Sequence, residues 1–150
     1  MKQDVFVVAT DKRSVPANTA GTGTIVTFGK SIVGTSTLFK TEMKAGSYLV
    51  DLDQNECRKV VRVDSDAKAF LEIPFTSNLA SGTPQIIPWY ASGPKLISVY
   101  SSGNYELNGE TITGGVTAEK TGNDRSGRRD LTEPVVIDAT ASGAQIEILY

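Results

Sequence analysis

A Gly-Lys-Ser triplet at Gly29, Lys30 and Ser31 is the first grouping in this sequence whose residue types could do chemistry, because it matches the tail of a phosphate-binding loop. Such a loop needs four residues between its first Gly and the Gly-Lys pair, in a loop that opens a long helix. Here the five residues TIVTF separate Gly23 from Gly29, and the β-branched SIVGTS follows. The triplet reads as a hairpin turn. DLDQNE places Asp51, Asp53 and Asn55 at the alternate positions of a calcium loop, but Glu56 stands where that loop needs Gly and Arg62 where it needs Glu. An acidic β-turn is the expectation, with no metal and no cofactor.

Other chemistries lack a partner residue. The chain has no histidine, so the commonest general base and metal ligand are missing. Its single cysteine, Cys57, opens an alternating segment and reads as a small buried hydrophobe rather than a nucleophile. Asp64 and Asp66 could pair as acid and base, but they fall in a turn with nothing in the sequence to raise a pKa. Trp89, Tyr90, Tyr100 and Tyr105 could make a sugar-stacking platform. Aromatics spread through strands more often serve as core or interface anchors, and that reading ranks first.

The elements that must position these residues follow a period of two. DVFVVAT (4–10) is expected as a first strand and KRSVPANTAG as a linker broken by Pro16, Asn18 and Gly21. GTIVTF and SIVGTS flank Gly29-Lys30 as a tight hairpin, with Val26 opposite Val33 and Thr27 opposite Ile32. TLFKTEMKAG carries one short helical turn, opened by Ser36 or Thr37 and stopped by Gly46. Strands are expected at 47–52, 57–63 and 69–73, and then, less regularly, in PQIIPWY and KLISVYSS. Asn108-Gly109 marks a second hairpin, residues 119–133 an exposed loop, and VVIDA and QIEILY closing strands. Phe39, Met43, Leu49, Val61 and Leu71 are the expected core of the first half.

The fold class is therefore all-β: a small β-barrel or sandwich module with one short helical turn, followed by further antiparallel strands. Residues 1–20 are assigned to an N-terminal strand and linker arm, 21–83 to the module, and 84–150 to a second β region packed on or beside it. A net charge of −2 argues against a nucleic-acid partner, no apolar run approaches membrane-spanning length, and the N-terminus shows no signal peptide.

From Gly21 to about Thr83 the order GTIVTF, GK, SIVGTSTLF, KTEMKAGSYLV, CRKVVRV, DSDAKAFLEIPF and TSNLASGT resembles a small Gly/Thr-rich β-module of tailed-bacteriophage virion structural proteins. Two departures are Ser47 in place of the usual Asp and a Gly-Lys turn after Phe28. The resemblance implies a non-enzymatic virion component assembled in the host cytoplasm, foremost a capsid auxiliary or decoration protein. Its implied partners are copies of itself and the major capsid, portal or tail proteins. A neck or tail ring component is the alternative within that class, and a carbohydrate-binding module of a fibre or surface protein the alternative outside it. An enzyme ranks third.

The residues expected at interfaces are Val5, Phe6, Val7 and Val8, apolar on both faces of a terminal strand, and Trp89 and Tyr90. Arg125, Arg128 and Arg129 join them, because their guanidinium groups can pair with a neighbour's carboxylates.

Overall fold

The computed structural model describes residues 5–88, 96–100, 103–112, 128–130, 134–141 and 143–149. Ala17–Ala91 forms one compact unit, and Met1–Pro16 with Ser92–Tyr150 forms the other.

The second of these units holds two four-stranded antiparallel sheets. In one, β1 (Val5–Ala9) lies beside β15 (Ala144–Leu149), followed by β10 (Leu96–Tyr100) and β13 (Arg128–Asp130). The N-terminal strand is thus no free arm: Val5 to Ala9 pair with Ile148 to Ala144 of the same chain. Arg128 and Arg129, expected in an exposed loop, pair instead with Ser98 and Ile97. Charged residues suit a strand at the end of a sheet, where they discourage pairing with a further chain.

The other sheet of that unit runs β12 (Glu110–Ile112), β11 (Tyr105–Leu107), β14 (Val135–Asp138), β2 (Lys12–Val15). Asn108 and Gly109 join β11 to β12 with φ of 52° and 81°, the two positive angles of a type I′ turn. Tyr105 and Leu107 are buried, so Tyr105 is a core residue and not part of a surface platform.

The unit 17–91 is built on a single seven-stranded sheet with the order β3 (Thr19–Ala20), β9 (Gln85–Ile87), β6 (Tyr48–Asp51), β7 (Glu56–Ser65), β8 (Lys68–Leu71), β5 (Ser31–Thr35), β4 (Thr24–Phe28). The expected linker therefore contains two strands, β2 and β3, whose partners β14 and β9 lie far along the chain. The sheet does not close into a barrel by strand pairing. Its β4 edge is covered by the segment 79–82: Ile25 N–H donates to Gly82 O at 2.8 Å, Gly82 N–H to Ile25 O at 3.2 Å, and Thr27 N–H to Leu79 O at 3.2 Å. The Gly29-Lys30 hairpin has the expected register, Val26 opposite Val33 and Thr27 opposite Ile32. Gly29 takes a φ of 58° and Lys30 does not turn positive, the pattern of a type II′ turn with Gly first.

One helical turn, α1 (Phe39–Glu42), packs over this sheet. Neither Ser36 nor Thr37 caps it. Asp66, in the β7–β8 turn, does so from across the sheet: its carboxylate accepts from Lys40 N–H at 2.9 Å and its carbonyl from Phe39 N–H at 3.3 Å. The Thr37 hydroxyl donates to the same carbonyl. A cap satisfies orphan amides wherever its oxygen comes from. Below the turn, Ile25, Ile32, Phe39, Met43, Leu49, Val60, Ala69, Leu71, Phe75 and Ile86 form the core.

Val61, expected in that core, is 42% exposed, while Val60 is fully buried. The register shows why. Val60 faces Leu71 but Arg62, not Val61, faces Phe70, so Val61 is the extra residue of a β-bulge. The slip reverses the faces of Arg62 and Val63, and a second irregularity between Val63 and Ser65 shifts the register again. Val63 consequently returns to the inner side opposite Ala69 and packs on the core.

Candidate functional site

The outward face of β4, β5, β8 and β7 is the first surface with a binding character. Alternation sends Ile25, Thr27, Ile32, Ala69 and Leu71 inward. Val26, Phe28, Ser31, Val33, Lys68 and Phe70 occupy the opposite phase. Cross-strand register aligns them in two rows: Phe28, Ser31, Phe70 and Arg62 in one, and Val26, Val33 and Lys68 in the other.

Phe28 is 65% exposed. Phe70 lies two strands away, about 10 Å at the usual strand spacing, with the small Ser31 between them. Cations frame the second ring: the Arg62 guanidinium sits 4.1 Å from its centroid and the Lys68 ammonium 5.3 Å away. Arg62 is held there by Asp64, Nε to Oδ1 at 2.7 Å. The bulge at Val61 gives Arg62 this position. The face thus combines apolar side chains with a charged rim.

A second feature is a groove of about 540 Å³ in the same unit. Leu52, Leu79 and Ala80 supply its apolar surface, and the β6–β7 turn and the segment 78–83 supply polar groups. Gln54 fixes the geometry. Its Nε2 donates to Asp51 Oδ2 at 2.6 Å and to Ser77 O at 2.9 Å, while its Oε1 accepts from Ser77 N–H at 2.8 Å. Asp51 Oδ1 also accepts from Asp53 N–H at 3.1 Å. On the other side, Asn18 Nδ2 donates to Gln85 Oε1 at 2.7 Å, and Asn78 Oδ1 accepts from Gly29 N–H at 2.9 Å.

The strand β7 ties down the same rim. Glu56 accepts from the amide and hydroxyl of Thr76 and pairs with Arg58 at 3.1 Å, and Arg58 Nε donates to Pro74 O at 3.0 Å. Burial alone would raise the Glu56 pKa. The Thr76 hydrogen bonds and the Arg58 charge outweigh it, so the carboxyl titrates below the usual glutamate range.

The residues singled out for chemistry are dispersed. Gly29-Lys30-Ser31 is a hairpin, Asp64 is the ion-pair partner of Arg62, Asp66 is a helix cap, and Cys57 is half-buried on β7. Among the described residues, no group of three or more His, Cys, Asp or Glu could hold a metal ion, and no helix is long and apolar enough to cross a membrane. Val5, Phe6, Val7 and Val8 lie on β1, and Arg128 and Arg129 on β13, two strands that are not neighbours in their sheet. Trp89, Tyr90 and Arg125 lie outside the described residues, and of Tyr100 only its place on β10 is described.

Sequence reasoning missed the groove entirely, because its walls come from loops that only register brings together. It missed the Phe28–Phe70 row for a similar reason, although the two-sided apolar pattern of the first hairpin was a signal. The chain has no significant match among protein-family models, curated proteins or solved structures.

Proposed function

We propose that this chain is a non-enzymatic structural subunit of a tailed-phage virion, a capsid auxiliary or decoration protein acting through contacts with its own copies and with major capsid, portal or tail proteins. One observation carries the reading: the β4–β5–β8–β7 sheet is apolar on both faces although only one face has a core beneath it. Phe28 is exposed and Val26, Val33 and Phe70 beside it are only half-buried, and a partner subunit would cover them. The order of Gly/Thr turn and strand signals over 21–83 supports the phage class independently.

In this reading the inner face keeps the subunit folded and the outer face recognises the neighbour. Phe28 and Phe70 are the anchors, and Arg62, Asp64 and Lys68 at the rim set orientation. Particles purified from cells producing the phage that encodes this chain should contain it in a fixed ratio to the major capsid protein by mass spectrometry. Immunogold labelling then separates a capsid location from a neck or tail ring. Absence from purified particles overturns the proposal.

A further inference from the structure

We infer that the groove between the β6–β7 turn and the segment 78–83 is a binding site for a neutral oligosaccharide. The inference goes beyond the virion reading and does not depend on it.

Size comes first. About 540 Å³ lies within the roughly 300–1,000 Å³ of small-ligand sites. Chemistry then narrows the ligand. No Lys, Arg or aromatic residue lines the groove, while Asp51 and Asp53 do. A phosphate or other anion would meet carboxylates with no cation to offset them. A nucleobase would find no ring to stack on.

An extended peptide is disfavoured by topology. It would need an open strand edge, but β6 is already paired on both sides, by β7 and β9, and Gly82 is bonded to Ile25. A cation is disfavoured by count. Asp51 and Asp53 are the two carboxylates of the groove's lining, short of the three or more ligating side chains such a site needs, and each Asp51 oxygen already accepts a hydrogen bond.

What remains on offer suits hydroxyl groups, which both donate and accept. Asp53 accepts. Asn78 and Gln85 have their oxygens engaged, so each offers its NH2 as a donor. Ser81 and Thr83 are exposed and can do either. The half-buried Leu52 and Leu79 and the exposed Ala80 give the C–H faces of a sugar ring a place to rest. The Gln54 clamp and the Asn18–Gln85 bond hold these groups in position before any ligand arrives, which lowers the ordering cost of binding.

The test is a nitrogen-15 NMR titration of the full chain with maltotriose, mannotriose, cellotriose and chitotriose in turn. At least one should shift the side-chain NH2 signals of Asn78 and Gln85 and the backbone amides of 51–54, with a dissociation constant on the order of 1 mM. Asp53→Ala should weaken that binding about tenfold, the loss of one hydrogen bond to a charged group, and leave the melt unchanged. Inorganic phosphate should leave these signals still. Silence with all four sugars, shifts confined to other residues, or equal binding by Asp53→Ala would each overturn the inference. So would a Lys-rich peptide moving the same signals when no sugar does, which would make the groove a docking site for basic segments.

Discussion

Replacing Phe28 separates the two faces of the sheet, because this ring contributes little to the fold of one chain and much to any contact. An aromatic side chain buries about 200 Å² when fully covered. With 65% of Phe28 exposed, about 130 Å² is left for a partner. At about 25 cal/mol per Å² the upper limit is about 3 kcal/mol. Ordering and desolvation at an interface reduce this, to a loss of about 1–2 kcal/mol in association, or about five- to thirty-fold. The monomer loses less, since only about 70 Å² of the ring is already covered and Thr keeps part of that contact and the β-branched shape a strand favours. Phe28→Thr should therefore melt within about 1 kcal/mol of the parent. Co-production of tagged parent and Phe28→Thr chains during phage growth, followed by mass spectrometry of purified particles, measures their competition directly. Parent should dominate. Equal incorporation of two chains with equal melts would refute the assignment of this face, and a large loss of stability in Phe28→Thr would show that the ring belongs to the core.

Four further outcomes test the folds of the two units. Phe39 is 1% exposed at the centre of the core, so Phe39→Ala should destabilise by about 3–5 kcal/mol in denaturant unfolding. Gly34→Ala should cost about 1–3 kcal/mol by the same measurement, because its new methyl would lie 2.8 Å from Thr37 Cγ2 and 2.9 Å from Phe39 Cζ. The Glu56 carboxyl has a lowered folded pKa, so its contribution is complete above the ordinary glutamate value of about 4.3 and fades as pH falls through the folded value; Glu56→Gln should flatten that acid limb of the stability profile. Deleting residues 1–9 removes one of the two partners of β15, so amide exchange in 144–149 should accelerate while that of 48–51 stays slow.

What could be read from the sequence was local. Gly29-Lys30 and Asn108-Gly109 announce their hairpins because positive φ is a property of the turn residues themselves, and both turns have the expected geometry. Strand alternation likewise gave Leu49 and Leu71 their buried places, and the helical turn gave Phe39 and Met43 theirs. The failures all involve a partner far along the chain. Lys12–Val15 forms a strand because β14 is available to it, although Pro16 follows at once. The helical turn borrows its cap from Asp66, which no scan of Ser36 and Thr37 could reveal. Val61 faces outward because Val60 faces inward, and the extra residue at Val61 is what lets Val63, an odd number of residues from Val60, face inward as well.

The outer face shows the same divide from the functional side. Alternation tells which residues leave the core, but register alone decides which of them meet. Phe28 and Phe70 share a row only because Ser31 pairs with both, and Arg62 reaches Phe70 only because one extra residue re-phases β7. A regular strand would have placed Val61 opposite Phe70, extending the apolar row and leaving Lys68 as the one cation on the ring. The bulge instead puts an arginine opposite the ring, stacked on it and anchored by Asp64. In the proposed reading of this face, the irregularity that defeats prediction from the sequence is thus the one that would ask a partner for complementary charge as well as apolar area.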